Sequence, residues 1–393
     1  MVEKSFDVVV VHYSEIAVKG GNRDFFERRL MNNIQNSLKG QFSSVVKRYG
    51  RINCFLKEGY DRGLIVSTLK KVSGIANFSL ALSAKLNYDD IKSKVSMIIS
   101  GRNFSNFSIS ARRSFKDFPK SSKQLNIDLG GVVLDAFPEV KVNLTNPEFT
   151  IFVEVGEKEA LVYSSVEKFV GVGGLPVGSS GKVISSLSGG IDSPVSSFML
   201  MKRGCEVILC HIHNENVDSI RVKEKILALS KILSSFQVST KLFIIPFGEI
   251  QRVIISVVPS KLRMILYRRF MMRILNSLNS HYKLNAKALV TGDSVGQVAS
   301  QTLDNISNIR DASVLPVFSP LIGMNKEEII TLSKMIGSYD TSIIPSDDCC
   351  SFMIAKSPDT MSKLREVLSL EKDIPDFDKL INEAVKNAEL IKF

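Results

Sequence analysis

The stretch KVISSLSGGIDSPVSSFML (residues 182–200) joins an apolar, β-branched run to a helix-like run through two adjacent glycines. Gly189 and Gly190 let the backbone turn tightly and approach a ligand closely. The neighbouring serine hydroxyls and the first free N–H groups of the following helix would face the same point, as in an anion-binding loop. Asp192 would repel a bare phosphate, so the stretch predicts that a divalent cation mediates the contact.

Around this stretch, the C-terminal part of the chain alternates between strand and helix patterns. Apolar strand patterns occur at CEVILCHI, TKLFIIPF and AKALVTG, with helical patterns between them. Short strands separated by helices predict an α/β fold with a doubly wound parallel sheet. Ligands bind such sheets at the carboxyl ends of the strands. SGGIDS, CHIH and TGDS each end a strand, so we expect them to converge on one site.

The preceding part of the chain predicts two smaller α+β domains, over residues 1–59 and 60–168. FDVVVVHY is typical of a strand, Asn22 is a candidate helix cap, and SSVVKRYG with RINCFLKEG predicts a hairpin around Gly50. The glycine-rich GVGGLPVGSSG (residues 171–181) indicates the boundary of a third domain, residues 169–393. Near the end of the chain, DFDKLINEAVKNAELIKF predicts a helix.

The composition is that of a soluble globular protein, with 44% hydrophobic and 23% charged residues. No apolar run has the length of a membrane span, and the first residues lack the pattern of a signal peptide. Five cysteines suggest no disulfide framework, which favours a reducing, cytoplasmic setting. The net charge is +11, and basic residues exceed acidic ones most strongly between Arg62 and Lys123. A basic surface of this kind either keeps the protein soluble or binds a polyanionic partner.

Two common phosphate loops are excluded by the residues at their defining positions. A Walker A reading of GSSGKV fails because Val183 stands where Ser or Thr is needed and Pro176 where the first glycine is needed. The dinucleotide fingerprint fails because its third glycine is missing. The remaining SGGxDS pattern resembles the PP-loop of ATP pyrophosphatases, which split ATP between its α and β phosphates. The alternative is a glycine-rich turn that opens a helix and binds nothing.

Further segments resemble one family, the tRNA 4-thiouridine synthetases or tRNA sulfurtransferases. They are GGLPVGSSGKV, TGDSVGQVASQTLDNI, SPLIGMNKEEII and PSDDCCSFMIAKSP. HYSEIAVKGGNRDFFERRL resembles the ferredoxin-like opening of that family, and residues 60–168 resemble its RNA-binding THUMP domain. The resemblance implies a ferredoxin-like domain over 1–59, THUMP over 60–168 and a PP-loop ATP pyrophosphatase domain over 169–393.

The resemblance implies ATP-dependent sulfur transfer to uridine 8 of tRNA, through an adenylated uridine, with release of pyrophosphate and AMP. Asp192 would reach the pyrophosphate through Mg²⁺, and Lys326 would neutralise phosphate charge. Judged by residue type alone, Lys326 is explained equally well as a surface lysine that is exposed to water. The implied ATP contacts are Ser186, Leu187, Ser188, Gly189, Gly190, Ile191, Asp192, Ser193, His211, Ile212, Arg268, Gly292 and Gln301.

The resemblance also places the family's catalytic cysteine, the site of a persulfide, at Cys350 in DDCCS. Cys349 beside it is either a small buried residue or a resolving thiol. RMILYRRF has no cysteine, so we expect no iron–sulfur cluster. We also expect no rhodanese-like domain. Longer family members use that domain to relay sulfur, so the route of the sulfur in this chain, and the thiamine-pathway role tied to that relay, stay open. The sulfur donor would be a cysteine desulfurase or sulfide, and a homodimer stays open.

RNA binding is expected at SARRSFKDFPKSSK, which the THUMP resemblance covers. Phosphate contacts with an occasional aromatic stack, here from Phe115 or Phe118, suit folded RNA. The basic residues of this stretch are Arg112, Arg113, Lys116, Lys120 and Lys123. Two rival functions stay open: another PP-loop AMP-forming tRNA ligase, which needs no thiol, and a tRNA-binding protein with a vestigial nucleotide loop.

Overall fold

The chain folds into two compact units, residues 1–176 and 177–393. The computed structural model describes residues 5–214, 219–345 and 353–393. The elements of the N-terminal unit are β1 (Val8–His12), α1 (Arg23–Ser37), β2 (Phe42–Arg48), β3 (Arg51–Leu56), α2 (Arg62–Leu69), β4 (Asn77–Ala84), α3 (Tyr88–Ile99), β5 (Asn106–Arg113), α4 (Ser122–Ala136), β6 (Lys141–Val142), β7 (Phe149–Val155), β8 (Ala160–Ser164) and β9 (Lys168–Val170).

One nine-stranded sheet runs through the N-terminal unit: eight strands follow the order β2-β3-β1-β4-β8-β7-β5-β6, and the ninth, β9, lies off this path and pairs with β4. One edge of β4 pairs with β1, and its other edge pairs with β9 and then β8. Strands from the two predicted N-terminal domains therefore share a sheet. The predicted hairpin around Gly50 is confirmed, because β2 and β3 pair antiparallel and Gly50 has a positive φ of 73°.

The run of valines in β1 is buried on both faces of this sheet, which explains why it shows no polar alternation. Val9 and Val11 belong to the main core with apolar residues of all four helices. Val8 and Val10 face the other way and pack with Tyr163. The helix residues in the main core include Leu30, Ile34, Ile65, Leu69, Ile91, Val95, Leu125 and Leu129.

The C-terminal unit is built on a six-stranded sheet in the order β14-β13-β10-β11-β12-β15. Its elements are β10 (Lys182–Ser186), α5 (Asp192–Lys202), β11 (Glu206–His213), α6 (Ser219–Ser234), β12 (Lys241–Pro246), α7 (Gly248–Val257), α8 (Arg263–His281), β13 (Ala288–Val290), α9 (Leu303–Arg310), β14 (Val317–Phe318), α10 (Lys326–Ile336), α11 (Tyr339–Ser342), α12 (Leu364–Lys372), α13 (Phe377–Lys386) and β15 (Glu389–Lys392).

The chain order of these strands creates a topological switch point between β10 and β13. From β10 the chain adds β11 and β12 on one side, then crosses back to add β13 and β14 on the other. The pairs β10–β11, β10–β13, β11–β12 and β13–β14 are all parallel. The predicted doubly wound parallel sheet is confirmed. Such sheets bind ligands outside the carboxyl ends of the strands at this point.

Two local predictions were wrong. Asn22 makes no side-chain capping hydrogen bond, because a short 3-10 turn over Gly20–Asn22 leads directly into α1. The final predicted helix ends at Lys386, and Glu389–Lys392 forms strand β15, which pairs antiparallel with β12. Its apolar residues Leu390 and Ile391 extend the sheet edge rather than the amphipathic helix.

A buried ionic network fixes the long helix α8. Arg269 is fully buried and donates to both carboxylate oxygens of Glu371 on α12, at 3.0 and 2.8 Å. It also donates to the carbonyl of Asn308 on α9. Burial would raise the pKa of Glu371, but hydrogen bonds from Arg269 and Arg273 outweigh it and lower that pKa. The network thus holds α8 against two other helices.

Candidate active site

The loop between β10 and α5 closes on itself through one buried side chain, Ser193. Its hydroxyl accepts a hydrogen bond from the Ser188 N–H at 2.8 Å and donates one to the Ser188 carbonyl at 3.1 Å. The Ser188 hydroxyl accepts from the Gly190 N–H at 3.3 Å. No side chain caps α5 at Ile191, so the start of this helix can offer backbone N–H groups to an anion.

Beside this loop, a cavity of about 610 Å³ opens at the carboxyl ends of the parallel strands. That volume suits a small-molecule ligand. The predicted site residues that line it are Ser186, Leu187, Ser188, Gly189, Gly190, Asp192, Ser193, His211, Ile212, Arg268, Gly292 and Gln301. The expected convergence of SGGIDS, CHIH and TGDS is therefore confirmed. Ile191 lies in the loop but is not among the residues of the cavity wall.

At the end of β13, Gly292 approaches the loop too closely for any side chain. A Cβ there would lie 2.9 Å from the backbone nitrogen of Ser193 and 3.1 Å from the carbonyl carbon of Asp192. Neither contact can be relieved by moving a flexible side chain, because both atoms belong to the backbone. Glycine at this position therefore allows the switch point to close.

The carboxylate of Asp192 has a different partner on each oxygen. Lys326, at the start of α10, donates to Oδ1 at 2.6 Å. Gln297 donates to Oδ2 through its side-chain amide at 2.9 Å. The Asp192 side chain is about one-fifth exposed, so water screens this ion pair only in part. Lys326 is thus not merely a solvated surface lysine, although it does not itself line the cavity.

A second charged pair also lines the cavity. Arg268 on α8 donates to Asp293 at 2.5 Å, and Thr291 donates to the same carboxylate at 2.7 Å. Burial would raise the pKa of Asp293, but the Arg268 charge and these hydrogen bonds lower it. The pair is therefore ionised at neutral pH and holds the guanidinium of Arg268 at the cavity wall.

Several cavity residues were not predicted from the sequence. In the sequence, only one feature marks Lys225: it is a charged residue on the otherwise apolar face of α6. Gln297 and Ser342 carry no sequence signal, because each reaches the cavity from an irregular segment or a short helix. Outside the predicted ATP contacts and the TGDS turn, the wall residues are Asn214, Val222, Lys225, Met264, Met271, Met272, Gln297, Val298, Ser300, Ser342, Ile344 and Pro345.

Comparison with known proteins agrees with this architecture along the chain. Three family models match: the ThiI ferredoxin-like domain over residues 8–79, the THUMP domain over 85–165 and thiamine biosynthesis protein (ThiI) over 178–375. A probable tRNA sulfurtransferase of Acetivibrio thermocellus is 40% identical over 390 residues, which cover 98% of each chain. The chain belongs to the ThiI family of tRNA sulfurtransferases.

Other members of the ThiI family extend the match. A probable tRNA sulfurtransferase of Coxiella burnetii is 35% identical over 391 residues, again covering 98% of each chain. A crystal structure of a 4-thiouridine synthetase–RNA complex with bound ATP has a TM-score of 0.90 and 33% identity, and it covers 99% of this chain and 100% of that one. The family resemblance and the fold class predicted from the sequence are confirmed.

The ThiI-family cysteine predicted at Cys350 lies outside the described residues, as does Cys349. Pro345, five residues earlier in the sequence, lines the cavity. The three described cysteines, Cys54, Cys205 and Cys210, are all buried. Burial raises the pKa of each of these thiols, so none of them is an effective nucleophile at neutral pH.

In the THUMP region, the residues predicted to contact RNA differ from one another in exposure and in their hydrogen bonds. Arg112, Lys116 and Lys123 are exposed. Arg113 donates to the Phe118 carbonyl at 2.7 Å, and Lys120 donates to Asp128 at 2.7 Å, so both support the fold of their own loop. The expectation that Phe118 stacks on a base was wrong, because its ring is buried in the core, and Phe115 packs partly against the same core.

A second cavity of about 570 Å³ lies between β12, α7 and α13. Lys223 and Glu389 form a 2.6 Å ion pair on its wall, and Arg252, Glu249 and Glu383 also line it. Charges of both signs therefore line this cavity, and none of the predicted site residues does. The cavity at the switch point is the better candidate site.

Two further findings concern metals and membranes. Among residues 5–214, 219–345 and 353–393, no group of three or more His, Cys, Asp or Glu side chains is arranged to hold a metal ion. Within the same ranges, no helix combines the length and apolar character required to cross a bilayer.

Proposed function

We propose that this chain transfers sulfur to uridine 8 of tRNA in an ATP-dependent reaction that forms 4-thiouridine. The observation that carries the proposal is the SGGIDS loop at the switch point, with Asp192 facing a ligand-sized cavity and held by Lys326. A loop of this kind suits the pyrophosphate of ATP. The similar 4-thiouridine synthetase was crystallised with bound ATP and RNA, which supports the same ligands here.

In this proposal, ATP occupies the cavity with its phosphates against the loop. The hydroxyls of Ser188 and Ser193 and the N–H groups at the start of α5 face the pyrophosphate. Arg268, another residue of the cavity wall, would contact the nucleotide. Gly292 contributes by leaving room, since any larger residue would displace the loop backbone. The remaining nucleotide contacts are proposed for Ser186, Leu187, Gly189, Gly190, Ile191, His211, Ile212 and Gln301.

Mg²⁺ fits the chemistry of this site. The Asp192 carboxylate offers the oxygen ligand that Mg²⁺ prefers, and ATP phosphates supply others. When bound, the ion would neutralise the charge that develops on the leaving pyrophosphate. Lys326 adds a positive charge beside the same carboxylate and so reduces the repulsion between Asp192 and the phosphates.

The first chemical step activates the uridine. Its O4 attacks the α-phosphorus of ATP, the bond from that phosphorus to the bridging oxygen breaks, pyrophosphate leaves, and the N3 proton of the uracil passes to solvent. The product is a uridine with AMP attached through O4. This step replaces the C4 oxygen, a poor leaving group, with AMP, a good one. The positive charge of Lys326 beside the loop stabilises the departing pyrophosphate.

The second step uses a persulfide on Cys350. Its terminal sulfur attacks C4, the C4–O bond breaks, and AMP leaves, so that the sulfur bridges Cys350 and the base. A second thiol, from Cys349 or an external thiol, then attacks Sγ of Cys350. This releases 4-thiouridine and leaves a disulfide at Cys350. The terminal sulfur comes from the persulfide of a cysteine desulfurase, or from sulfide that attacks Sγ of Cys350 in the disulfide left by an earlier turnover and releases the partner thiol. The buried described cysteines offer no alternative nucleophile.

The decisive experiment compares Cys350→Ser with Cys349→Ser. Each variant receives unmodified tRNA, ATP, Mg²⁺, cysteine and a cysteine desulfurase, and both 4-thiouridine and pyrophosphate are measured. We expect Cys350→Ser to form no 4-thiouridine while pyrophosphate release persists, because activation needs no thiol. Full thiolation by Cys350→Ser would favour another PP-loop ligase. Tight tRNA binding by the wild type without pyrophosphate release would favour a vestigial nucleotide loop.

A further inference from the structure

A chain of hydrogen bonds leads from outside the cavity to the Asp293 carboxylate at its wall. Arg310, the last residue of α9, donates to the Ser319 hydroxyl at 2.7 Å. The Ser319 and Thr291 hydroxyl oxygens lie 2.8 Å apart, and the Thr291 hydroxyl donates to Oδ2 of Asp293 at 2.7 Å. Thr291 and Asp293 line the cavity, whereas Arg310 and Ser319 are not among the described residues of its wall. The chain of bonds therefore connects a remote cation to the candidate nucleotide site.

The register of two parallel strands brings the two hydroxyls together. Thr291 directly follows β13 and Ser319 directly follows β14, and the preceding residues Val290 and Phe318 are register partners. The Thr291 N–H donates to the Phe318 carbonyl at 3.0 Å, which extends the ladder by one step. A buried residue of α5, Ser196, donates to the Thr291 carbonyl at 2.7 Å. Contacts of its backbone with two other elements thus fix the position of Thr291.

Elementary hydrogen-bond chemistry determines the direction of every bond in this series. An arginine can only donate and an ionised carboxylate can only accept, whereas a hydroxyl has one proton to donate. Thr291 gives its proton to Asp293, so it must accept the proton of Ser319. Ser319 in turn accepts from Arg310. All three bonds therefore point from the cation to the carboxylate, and bonds aligned in this way polarise and strengthen one another.

The carboxylate of Asp293 is the junction between this series of bonds and Arg268. Oδ1 accepts from Arg268 at 2.5 Å, and Oδ2 accepts from Thr291. Asp293 is 4% exposed, so its charge is costly to bury unless cations and donors compensate it. Burial raises the pKa of this carboxyl, but Arg268, Thr291 and Arg310 together lower it below its ordinary value. The carboxylate thus has two arginines as partners, one by direct contact and one through two hydroxyls.

We propose that Arg310 is a positioning residue for nucleotide binding, which acts on Arg268 through the two hydroxyls and Asp293. The bonds hold the Asp293 carboxylate in one orientation, and that orientation directs the guanidinium of Arg268 at the cavity wall. Arg310 also gives the set a net positive charge, because the charges of Arg268 and Asp293 alone would cancel. A net positive charge suits an anionic nucleotide. The inference rests on the proposed function, in which ATP occupies this cavity.

Calorimetric titration of the full chain with ATP and Mg²⁺ tests this inference in Arg310→Met and Ser319→Ala. Each variant interrupts the series of bonds, and Ser319→Ala keeps the arginine charge. We expect the Kd for ATP to rise about five- to tenfold in Arg310→Met and about threefold in Ser319→Ala. Arg310→Lys should recover much of the loss, since an ammonium can also donate to the Ser319 hydroxyl. With tRNA present, the KM for ATP should rise in Arg310→Met, while pyrophosphate release at saturating ATP stays within about twofold of the wild-type rate.

Further variants separate positioning from a general effect on the protein. The double variant Arg310→Met/Ser319→Ala should lose no more affinity than Arg310→Met alone, because residues that act through one network are not additive. Lys287→Met, at an exposed lysine immediately before β13, and Ser307→Ala, at an exposed serine on α9, are matched controls and should bind ATP as wild type does. Thermal unfolding measures any loss of stability. Ser319→Ala removes a single hydroxyl and keeps the test decisive if Arg310→Met does not fold.

The possible results distinguish this inference from the proposed function. Wild-type ATP affinity in both Arg310→Met and Ser319→Ala would reject the inference and leave the proposed function intact. Losses that add in the double variant would show that the two residues act separately, which also rejects it. An equal loss in Lys287→Met would show a general effect of positive charge rather than positioning. Absence of ATP binding by the wild type would reject the proposed function itself, and this inference with it.

Discussion

A Cβ on Gly292 would lie 2.9 Å from the backbone nitrogen of Ser193, so β13 and the start of α5 meet without room for a methyl group. Gly292 follows β13, and Ser193 lies in the first turn of α5, the helix that follows β10, so each residue belongs to one of the two strands at the switch point. Their contact sets the distance between the SGGIDS loop and the rest of the cavity wall. It also gives the most direct test of the candidate nucleotide site.

Replacement of Gly292 by alanine should damage ligand binding more than folding. The added methyl group must displace loop backbone, so we expect at least a tenfold loss of ATP affinity and a loss of about 1–3 kcal/mol in the free energy of unfolding. Calorimetric ATP titration and urea unfolding measure the two effects. Gly131→Ala in α4 is the control, because nothing lies within 4 Å of its added Cβ. Equal ATP affinity in both variants would contradict the assigned role.

The Asp192–Lys326 pair should matter for activation rather than for stability. Asp192→Asn removes the only carboxylate of the SGGIDS loop, and we expect pyrophosphate release to fall about a hundredfold. Lys326→Met should lower the same rate about tenfold, because the carboxylate then faces the phosphates without its cation. Lys334→Met, an exposed lysine on the same helix, should leave the rate unchanged. Wild-type rates in both site variants would exclude this pair from the reaction.

Acid stability of the N-terminal unit should depend on Glu154. Burial would raise the pKa of this carboxyl, but His12, Arg51 and Tyr163 outweigh burial and lower it from 4.5 to about 2. Because the folded-state pKa is depressed, the stabilisation is fully present above about pH 4.5 and is lost as the pH falls through about 2. Between pH 6 and 3, wild type should therefore lose about 2 kcal/mol more unfolding free energy than Glu154→Gln.

The measurement for Glu154 is urea unfolding at pH 6 and pH 3. Glu157→Gln, at an exposed glutamate close in sequence, is the control and should follow wild type at both values. If Glu154→Gln and wild type lose the same free energy over this range, the carboxyl does not have a depressed pKa in the folded protein.

The salt dependence of tRNA binding should identify which basic residues contact phosphate. Arg112 and Lys116 are exposed, and their double replacement by alanine should flatten the log–log slope by about 1–2. The control replaces Lys241 and Lys392, exposed lysines paired across β12 and β15, and should keep the wild-type slope. Arg113→Ala is less informative, because its guanidinium supports the loop that contains Phe118. An unchanged slope in the Arg112/Lys116 variant would remove both residues from the interface.

Much of the candidate site was predictable because its signals are local. The glycine pair, the serines and Asp192 lie within one short stretch, and a strand pattern precedes them. The ends of β11 and β13 could be added because parallel strands place their carboxyl ends at one sheet edge. Family resemblance supplied the expected role of Lys326, but its contact with Asp192 is a fact of the structure.

Other features could not be predicted because they depend on residues far apart in the sequence. Lys225 on α6 donates to the carbonyl of Ile344, 119 residues later. Phe118 looked like a stacking residue in a basic stretch, but the sheet and helices around it leave its ring buried. Strand β15 exists because β12 offers it an edge, although its own sequence continues a helical pattern.

The amino-acid sequence by itself determined the strand–helix alternation, the glycine turn after β10 and the family to which the chain belongs. These follow from local backbone preferences, burial periodicity and side-chain chemistry, all of which act over a few neighbouring residues. The tertiary structure alone decided that Gly292 abuts Ser193, that Lys326 binds Asp192 and that Lys225 donates to Ile344. Such distances depend on how the whole unit packs, since only the assembled sheet and its helices bring distant segments of the chain into contact.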